Sequence, residues 1–218
     1  MQPNVVVPSG AECRLENATV NGNVWVQENA GLIVAGSTIN GNIRGHSARF
    51  WGLTDDDDSS ATTVVNGNVE FVDTQSSPLG STRTEQPATH NFVCDRTRIR
   101  GNFSVRASRP DAPVLFGSST QPMTVGVMVA ECADDGSDEG NMVDQNYEAI
   151  ANEGEVRQRD NTAGNAFNVI ANQGTGGKDV FNNTAGGDLL CLDNVPAPAS
   201  GGNADGRPED HPEEQCQG

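Results

Sequence analysis

The sequence has few aromatic residues and no long apolar segment. Only one Tyr and two Trp occur in 218 residues, and no apolar run approaches the about 20 residues that a membrane-spanning helix needs. We therefore expect no membrane insertion. The shortage of large side chains predicts a thin core of Val, Ile, Leu and Ala, which suits a narrow, elongated fold better than a thick globular one.

Positive charge is also scarce. The 13 Lys and Arg residues are outnumbered by 30 Asp and Glu residues, which gives a formal net charge of −17 at pH 7. Nucleic acids and anionic membranes bind basic patches, so we expect no nucleic-acid partner. Solubility in salty or extracellular surroundings explains the acidic excess, and divalent-cation binding is the second interpretation.

The motifs of several catalytic classes are missing. The sequence contains no Gly-x-Ser-x-Gly elbow, phosphate-binding loop or dinucleotide fingerprint. The three histidines, His46, His90 and His211, fall in loop or tail contexts. We therefore expect a protein that is not an enzyme and that needs no cofactor.

The five cysteines form no Cys-x-x-Cys pair, and no His follows them at zinc-finger spacing, so a structural zinc site is not expected. Wide cysteine spacing in an acidic chain rich in Asn and Gly is typical of exported proteins with a few disulfides. A bond between Cys191 and Cys216 would hold the proline-rich tail against the preceding strands. Cys94 with Cys132 is the second candidate pair, which leaves Cys13 free. Other pairings stay open.

The first residues, Met1-Gln2-Pro3, carry neither a basic segment nor a long apolar one, and a signal peptide has both. Two explanations are open, a cytosolic protein or a mature exported form whose signal has been removed. The cysteine pattern favours the second, so we expect a secreted or cell-surface location.

What the sequence does contain is a repeated motif, apolar-Asn-Gly-Asn-apolar. It occurs at residues 20–24, 39–43 and 65–69, and a weaker copy lies at 99–103. Later glycine-centred echoes surround Gly164, Gly186 and Gly202. The shorter steps between these glycines are close to the length of one solenoid coil, and such periods are the signature of repeat architectures.

Two structures explain the motif. Asn-Gly between alternating apolar residues is a strong signal for a type I′ hairpin, which would make the chain an antiparallel meander. In a parallel β-helix, by contrast, asparagines in register stack as amide ladders along coils about 4.8 Å apart. Gly22, Gly41 and Gly67 would then occupy equivalent tight corners. The unit repeats together with its preceding Thr-Val or Thr-Ile, so we favour the parallel β-helix.

The predicted organisation is therefore all-β, a single-domain parallel β-helix with loop insertions and a disulfide-linked C-terminal tail. An extended N-terminal segment covers residues 1–12, and coils cover 13–132 with inserted loops at 52–62 and 74–92. An acidic insertion follows at 133–160, with a short helix expected around 145–152. Further coils occupy 161–195, and a capping tail covers 196–218.

Two acidic loops are calcium candidates. Glycines beside Asp134, Asp135, Asp138 and Glu139 permit a turn that gathers their carboxylates, although the ligand spacing of an EF-hand is missing. The other loop holds four consecutive aspartates, residues 55–58, and adjacent residues converge poorly on one ion. The first loop is therefore the better of the two calcium candidates.

The repeated Val-Asn-Gly-Asn-Val units, the segment Gly187-Asp188-Leu189-Leu190-Cys191 and a final Cys216 resemble secreted bacterial β-helix repeat proteins. The similarity covers roughly half of the chain, residues 13–45, 61–73, 95–106 and 160–218. It implies the fold and export, since the role of most proteins in this group is unknown. The long acidic insertions and the loss of Asn from the later motifs depart from the pattern.

Two functional hypotheses follow. The first is an extracellular structural, adhesive or matrix protein that self-associates end to end, since solenoids expose strand edges at their ends. The second is a protein that binds or degrades an extracellular glycan. Its candidate parts are Trp25, Trp51 and Tyr147 for sugar stacking, and Arg98 or Arg100 for an acidic sugar. Arg106 adds to this basic patch.

Overall fold

The computed structural model describes residues 3–54, 61–75, 91–93, 97–108, 114–117, 140–153, 156–174, 177–206 and 215–216. These residues form 24 strands, numbered β1 to β24 in chain order. The strands make three sheets of eight, which are called sheets I, II and III. Successive strands belong to sheets I, II and III in turn, so three strands form one coil and eight coils form the solenoid. No helix long and apolar enough to cross a membrane occurs in this part of the chain.

All strand pairs are parallel. The prediction of an all-β parallel β-helix is therefore confirmed. The antiparallel meander is wrong, because each strand pairs with the equivalent strand of the coils before and after it.

Sheet I alternates buried and exposed side chains. Its strands are β1 (Val5–Val7), β4 (Val24–Val26), β7 (Ile43–His46), β10 (Val69–Val72), β13 (Phe103–Arg106), β16 (Tyr147–Ile150), β19 (Phe167–Ile170) and β22 (Leu189–Leu192). This alternation is the pattern of a sheet with one face in the core and one face outside.

Sheet II contains the longest strands of the described chain. They are β2 (Glu12–Glu16), β5 (Gly31–Ala35), β8 (Phe50–Thr54), β11 (Asn91–Val93), β14 (Val114–Gly117), β17 (Val156–Arg159), β20 (Lys178–Phe181) and β23 (Ala199–Gly201). Sheet III has two-residue strands, namely β3 (Thr19–Val20), β6 (Thr38–Ile39), β9 (Val64–Val65), β12 (Arg98–Ile99), β15 (Met142–Val143), β18 (Thr162–Ala163), β21 (Thr184–Ala185) and β24 (Ala204–Asp205).

The Asn-Gly-Asn motif forms the corner between sheet III and sheet I, here called corner A. The side-chain oxygen of Asn23 accepts the backbone N–H of Asn42 at 2.9 Å and its Nδ2 at 3.0 Å. The side-chain oxygen of Asn42 accepts the same two hydrogen bonds from Asn68, and that of Asn68 accepts them from Asn102. The predicted amide ladder is confirmed.

Glycine is required at corner A because the coils approach each other closely. A Cβ on Gly41 would lie 2.5 Å from the carbonyl oxygen of Gly22, and a Cβ on Gly67 would lie 2.5 Å from that of Gly41. Neither glycine is among the residues with positive φ, which a type I′ turn would need. The requirement is therefore steric.

The glycine alignment of the later coils is one residue out of register. Ile99 pairs with Val143, and Val143 pairs with Ala163. Gly164 therefore takes the place of Arg100 and not of Gly101. Gly186 is displaced in the same way, and Gly202 lies at a different corner, with a φ of +68°.

Two further corners were not predicted. Corner B joins sheet I to sheet II, and corner C joins sheet II to sheet III. At each of these two corners, one residue has a positive φ, and the residue that follows it is buried. In most coils this buried residue has a polar side chain. The positive-φ residues include Ser47, Asp73, Ala107, Ala151, Ala171 and Asp193 at corner B, and Asn17, Gly36, Asp160, Asn182 and Gly202 at corner C. A single left-handed residue turns the chain between strands, and Asn, Asp and Gly adopt this conformation most readily.

Asparagines behind these turns, all buried except the half-buried Asn203, form a second and a third amide ladder. Those of corner B are Asn152, Asn172 and Asn194, and those of corner C are Asn141, Asn161, Asn183 and Asn203. Each side-chain oxygen accepts hydrogen bonds from the preceding coil. The side-chain amides of six of them also donate to a backbone carbonyl inside the solenoid. Satisfied in this way, the amides stay buried without the penalty of an unpaired polar group.

The core contains more aromatic side chains than expected. The rings of Phe103, Tyr147 and Phe167 stack along sheet I, with centroids 5.2 Å and 4.3 Å apart. Trp51 stacks on Phe71 at 4.5 Å. Phe103, Tyr147 and Phe167 occupy equivalent positions on successive coils, whereas Trp51 on sheet II meets Phe71 on sheet I. Most aromatic side chains of the described residues therefore lie in the interior.

Residues 142–160, assigned to an acidic insertion, belong to the coils. They form β15, β16 and β17. The helix expected at 145–152 is wrong because Tyr147–Ile150 is β16, in which Tyr147 and Ala149 are buried and Glu148 and Ile150 are half-buried on the outer face. Alternating burial is the period of a strand. The acidic residues 134–139 lie outside the described residues.

Both ends of the solenoid extend further than expected. Val5–Val7 pairs with β4 in register, so the N-terminal segment is part of the first coil. The proposed capping tail contains β23 and β24, which pair with β20 and β21. The inserted loops are also shorter, since β8 continues to Thr54 and β11 begins at Asn91.

Candidate functional surfaces

The exposed Trp25 lies on the outer face of sheet I. Register places it between Val6 on the first coil and Arg44 on the third. Trp25 is 40% exposed, and the guanidinium carbon of Arg44 lies 5.7 Å from its ring centroid. Arg44 also pairs with Glu70 on the next coil at 3.7 Å. An aromatic surface bordered by hydrogen-bonding charged groups is able to stack on a sugar ring.

The other two aromatic candidates for sugar stacking are wrong. Trp51 and Tyr147 are completely buried. The indole Nε1 of Trp51 donates to the hydroxyl of Thr74 at 3.3 Å, and burial raises the pKa of the Tyr147 phenol well above its usual value. Both point into the core because they occupy inward positions of β8 and β16.

The three arginines do not form one basic patch. Arg98 binds the carboxylate of Asp144 through two nitrogens, at 3.2 Å and 3.0 Å. Arg106 pairs with Glu148 on sheet I. Arg100 is exposed beside corner A. Asp144 and Glu148 lie on the coil that follows the arginines. These two carboxylates neutralise the charges of Arg98 and Arg106.

The structure does not place the calcium candidates. Asp134, Asp135, Asp138, Glu139 and residues 55–58 lie outside the described residues, as do His90 and His211. Within the described residues, no group of three or more His, Cys, Asp and Glu side chains is arranged to hold a metal ion. His46 is described, and its Nδ1 lies 3.1 Å from the hydroxyl of Ser47.

Among the described residues, no strand pairs with the outer edge of β1, the first strand of sheet I. The N–H of Val5 donates to Asn23 at 2.9 Å, and the carbonyl of Val7 accepts from Gln27 at 3.1 Å. In a parallel ladder alternate residues bond to the same neighbouring strand, so the backbone groups of Val6 face away from β4. The Val6 side chain is 55% exposed.

The neighbouring edge strand β2 is charged. Its outward side chains are Glu12, Arg14 and Glu16; Arg14 pairs with Glu16, and Glu12 pairs with Arg49. The inward side chains, Cys13 among them, are only partly buried. Burial raises the pKa of the Cys13 thiol, and this cysteine is free. Charged edge strands oppose indiscriminate pairing, which leaves β1 as the more accessible edge.

At the C-terminal end, Gln215 and Cys216 cover the last strand of sheet I, β22. The predicted disulfide between Cys191 and Cys216 is present, with Cα atoms 5.4 Å apart. The N–H of Gln215 donates to Cys191 at 2.8 Å, and its side-chain oxygen accepts from Asn194 at 2.8 Å. Gln215 thus continues the amide ladder of corner B. The second predicted bond, Cys94 with Cys132, lies outside the described residues.

One buried charged group was missed. Lys178 is 2% exposed, and its Nζ donates to the carbonyls of Gln173 and Gly174, each at 3.2 Å. The alternation of Lys178 with Val180 in β20 was the available signal, because residues two apart on a strand share a face. Lysine is expected outside, so the sequence alone favoured the wrong face.

No family model, curated protein or solved structure matches the chain. The resemblance to secreted β-helix repeat proteins therefore stays a prediction.

Proposed function

We propose that the protein is a non-enzymatic, extracellular structural or adhesive solenoid that associates with a second copy through the open edge of β1. The observation that carries this proposal is the contrast between the two edge strands of sheet I, β1 and β22. The C-terminal coil has Cys216 and Gln215 against it, whereas Val6 directs both its side chain and its backbone groups away from the molecule.

Strand addition explains how the edge would bind. A second strand placed beside β1 forms backbone hydrogen bonds with the outward N–H and C=O groups, and side-chain packing adds specificity. The charged β2 edge discourages pairing at sheet II. Association is therefore centred on sheet I, and a disulfide is compatible with an oxidising extracellular setting.

Net charge gives this association a salt dependence. Two copies each carry a formal charge of −17, so they repel each other at low ionic strength and less so when salt screens the charge. We expect self-association to strengthen with salt.

The test is sedimentation velocity and negative-stain imaging of wild type, Val6→Pro and Val6→Thr at low and high salt. Proline removes the outward N–H and leaves no hydrogen bond to β4 to lose, whereas threonine keeps the donor and the branched shape. Wild type and Val6→Thr should associate, and Val6→Pro should remain monomeric. A monomeric wild type at high salt, or a Val6→Pro variant that assembles equally well, would contradict the proposal. Imaging separates closed pairs from filaments.

A second candidate function is glycan binding at Trp25. It is supported by the exposure of this indole beside the Arg44–Glu70 pair. Affinity electrophoresis in gels containing neutral or acidic polysaccharides tests it, with Trp25→Ala as the variant and Val6→Ala as the control from the same row. Retardation that Trp25→Ala abolishes and Val6→Ala preserves supports this function, and unchanged mobility in all gels argues against it.

A further inference from the structure

The chain contains the same pentapeptide twice, Val-Asn-Gly-Asn-Val, at residues 20–24 and 65–69. Asn-Gly is the dipeptide most open to loss of the side-chain amide, because no side chain on glycine shields the backbone nitrogen that attacks the asparagine Cγ. Since the local sequences are identical, any difference in reactivity between Asn21 and Asn66 has to come from the fold.

The attacking nitrogens differ first. The N–H of Gly67 donates to the carbonyl of Gly41 at 3.1 Å, and the N–H of Gly41 donates to that of Gly22 at 3.0 Å. Within the described chain, the N–H of Gly22 makes no hydrogen bond. Attack requires this nitrogen to lose its proton and turn toward the side chain, so the hydrogen bond restrains Gly67 and leaves Gly22 available.

The leaving amides differ as well. Nδ2 of Asn66 donates to Oδ1 of Asn40 at 2.7 Å, and Nδ2 of Asn40 donates to Oδ1 of Asn21 at 3.0 Å. Asn21 is the end of this row, and its own Nδ2 has no acceptor among the described residues. The amide nitrogen that has to leave as ammonia is therefore restrained by a hydrogen bond at Asn66 and is not restrained in this way at Asn21.

The electrophilic carbons differ in the same direction. The hydrogen bond from Asn40 draws electron density from the carbonyl of Asn21, whereas Oδ1 of Asn66 is buried and has no partner among the described residues. Asn21 is also exposed to the water that completes the reaction, and Asn66 is half-buried. Nucleophile, leaving group and electrophile all favour Asn21.

We propose that Asn21 is a site of spontaneous deamidation and that the fold protects the identical motif at Asn66. The backbone nitrogen of Gly22 bonds to Cγ of Asn21, its proton passes to the departing amide, and ammonia leaves as a succinimide forms. Water then opens the ring at either carbonyl, and the product at this position is an aspartate or an isoaspartate. No oxidant or further reactant is needed.

The two products affect the first coil differently. The aspartate keeps a side-chain oxygen that accepts from Asn40. The isoaspartate adds a methylene group to the main chain between β3 and β4, which moves Asn23 relative to Asn42 and disturbs the ladder of corner A. The modification therefore loosens the first coil at its junction with the second.

Peptide mapping by mass spectrometry during incubation of the folded protein at mildly alkaline pH tests the proposal, with isoaspartate-specific cleavage to identify the product. We expect Asn21 to react about tenfold faster than Asn66, a difference of about 1.4 kcal/mol in activation free energy. In urea-unfolded protein the two sites should react at equal rates. Equal rates in the folded protein, or a faster Asn66, would overturn the proposal.

The variant Asn40→Ala tests the cause. It removes the donor to Asn21 and the acceptor for Asn66 at an exposed position, so it should slow the first site, speed the second and narrow the ratio. An unchanged ratio would contradict the role assigned to the amide row. Gly22→Ala is unsuitable, because its Cβ would lie 1.6 Å from the carbonyl oxygen of Pro3.

Discussion

The side-chain oxygen of Asn172 accepts two hydrogen bonds from Asn152, one from the backbone N–H at 3.0 Å and one from Nδ2 at 2.8 Å. Its own Nδ2 donates to the carbonyl of Ala149 at 2.9 Å. One buried side chain therefore pairs polar groups of the preceding coil and of sheet I. The ladder continues because the N–H of Asn172 donates to Asn194 at 3.0 Å.

Asn172→Ala should destabilise the protein by about 2–4 kcal/mol, since it leaves the N–H of Asn152 buried without a partner and removes one hydrogen bond from the carbonyl of Ala149. Urea unfolding followed by circular dichroism measures this. The control is Asn168→Ala, which changes the same residue type on the outer face of β19 and should cost less than about 0.5 kcal/mol. Equal losses in the two variants would argue against the ladder as a source of stability.

Gly41→Ala should cost about 3 kcal/mol, because its Cβ would lie 2.5 Å from the carbonyl oxygen of Gly22 and the coils would have to separate. Gly201→Ala is the matched control. Its Cβ would meet only ring atoms of Phe181, at 3.4 Å and 3.5 Å. We expect thermal unfolding to distinguish the two, and a tolerant Gly41 would mean that corner A relaxes easily.

Corner A could be predicted from sequence because its requirement is local. The glycine and the following asparagine recur in Gly22-Asn23, Gly41-Asn42 and Gly67-Asn68, and both the close approach of coils and the amide ladder follow from that repetition. Where Gln145 or Asn165 replaces the glycine, the pattern fails, although the backbone still turns there. Register in those coils is determined by strand pairing, which sequence spacing does not reveal.

Corners B and C could not be predicted, because several of their positive-φ residues are of types that show little intrinsic preference for the left-handed conformation. Ala107, Ala151 and Ala171 adopt positive φ, which alanine does only when neighbouring coils impose it. Their buried asparagines also look like surface residues in sequence. At the candidate site, Trp25 is exposed and Trp51 is buried. Which of the two faces outward depends on the register of the coils, and the sequence does not reveal that register.

The disulfide between Cys191 and Cys216 should contribute both to the free energy of unfolding and to the protection of the Asn194 amide. Replacing Cys191 and Cys216, which are 25 residues apart, by Ala should remove about 3.5 kcal/mol by the chain-entropy estimate. Hydrogen exchange should show the amide of Asn194 opening first, since its acceptor Gln215 is no longer held in place. Cys13→Ala serves as the control and should leave that amide protected. Protection of Asn194 in the double variant would show that Gln215 docks without the disulfide.

Burial of Tyr147 predicts a loss of stability in alkali. Its phenol pKa is raised well above the ordinary value of 10.0 by desolvation. Above about pH 10 the tyrosine of the unfolded chain ionises while the folded one keeps its proton. The unfolded state then binds fewer protons, so the free energy of unfolding falls as pH rises, up to the raised pKa of the folded state.

Tyr147→Phe isolates this contribution, because phenylalanine keeps the stacking on Phe103 and Phe167 and cannot ionise. Urea midpoints measured between about pH 9 and pH 11 should fall more steeply for wild type than for the variant. A residual slope is expected in both, since burial also raises the pKa of Cys13 above 9.0, and Cys13→Ser in both backgrounds removes it. Equal pH slopes of the urea midpoint in wild type and Tyr147→Phe would contradict this prediction. They would mean that Tyr147 ionises in the folded protein as readily as in the unfolded chain, despite its complete burial between two stacked rings.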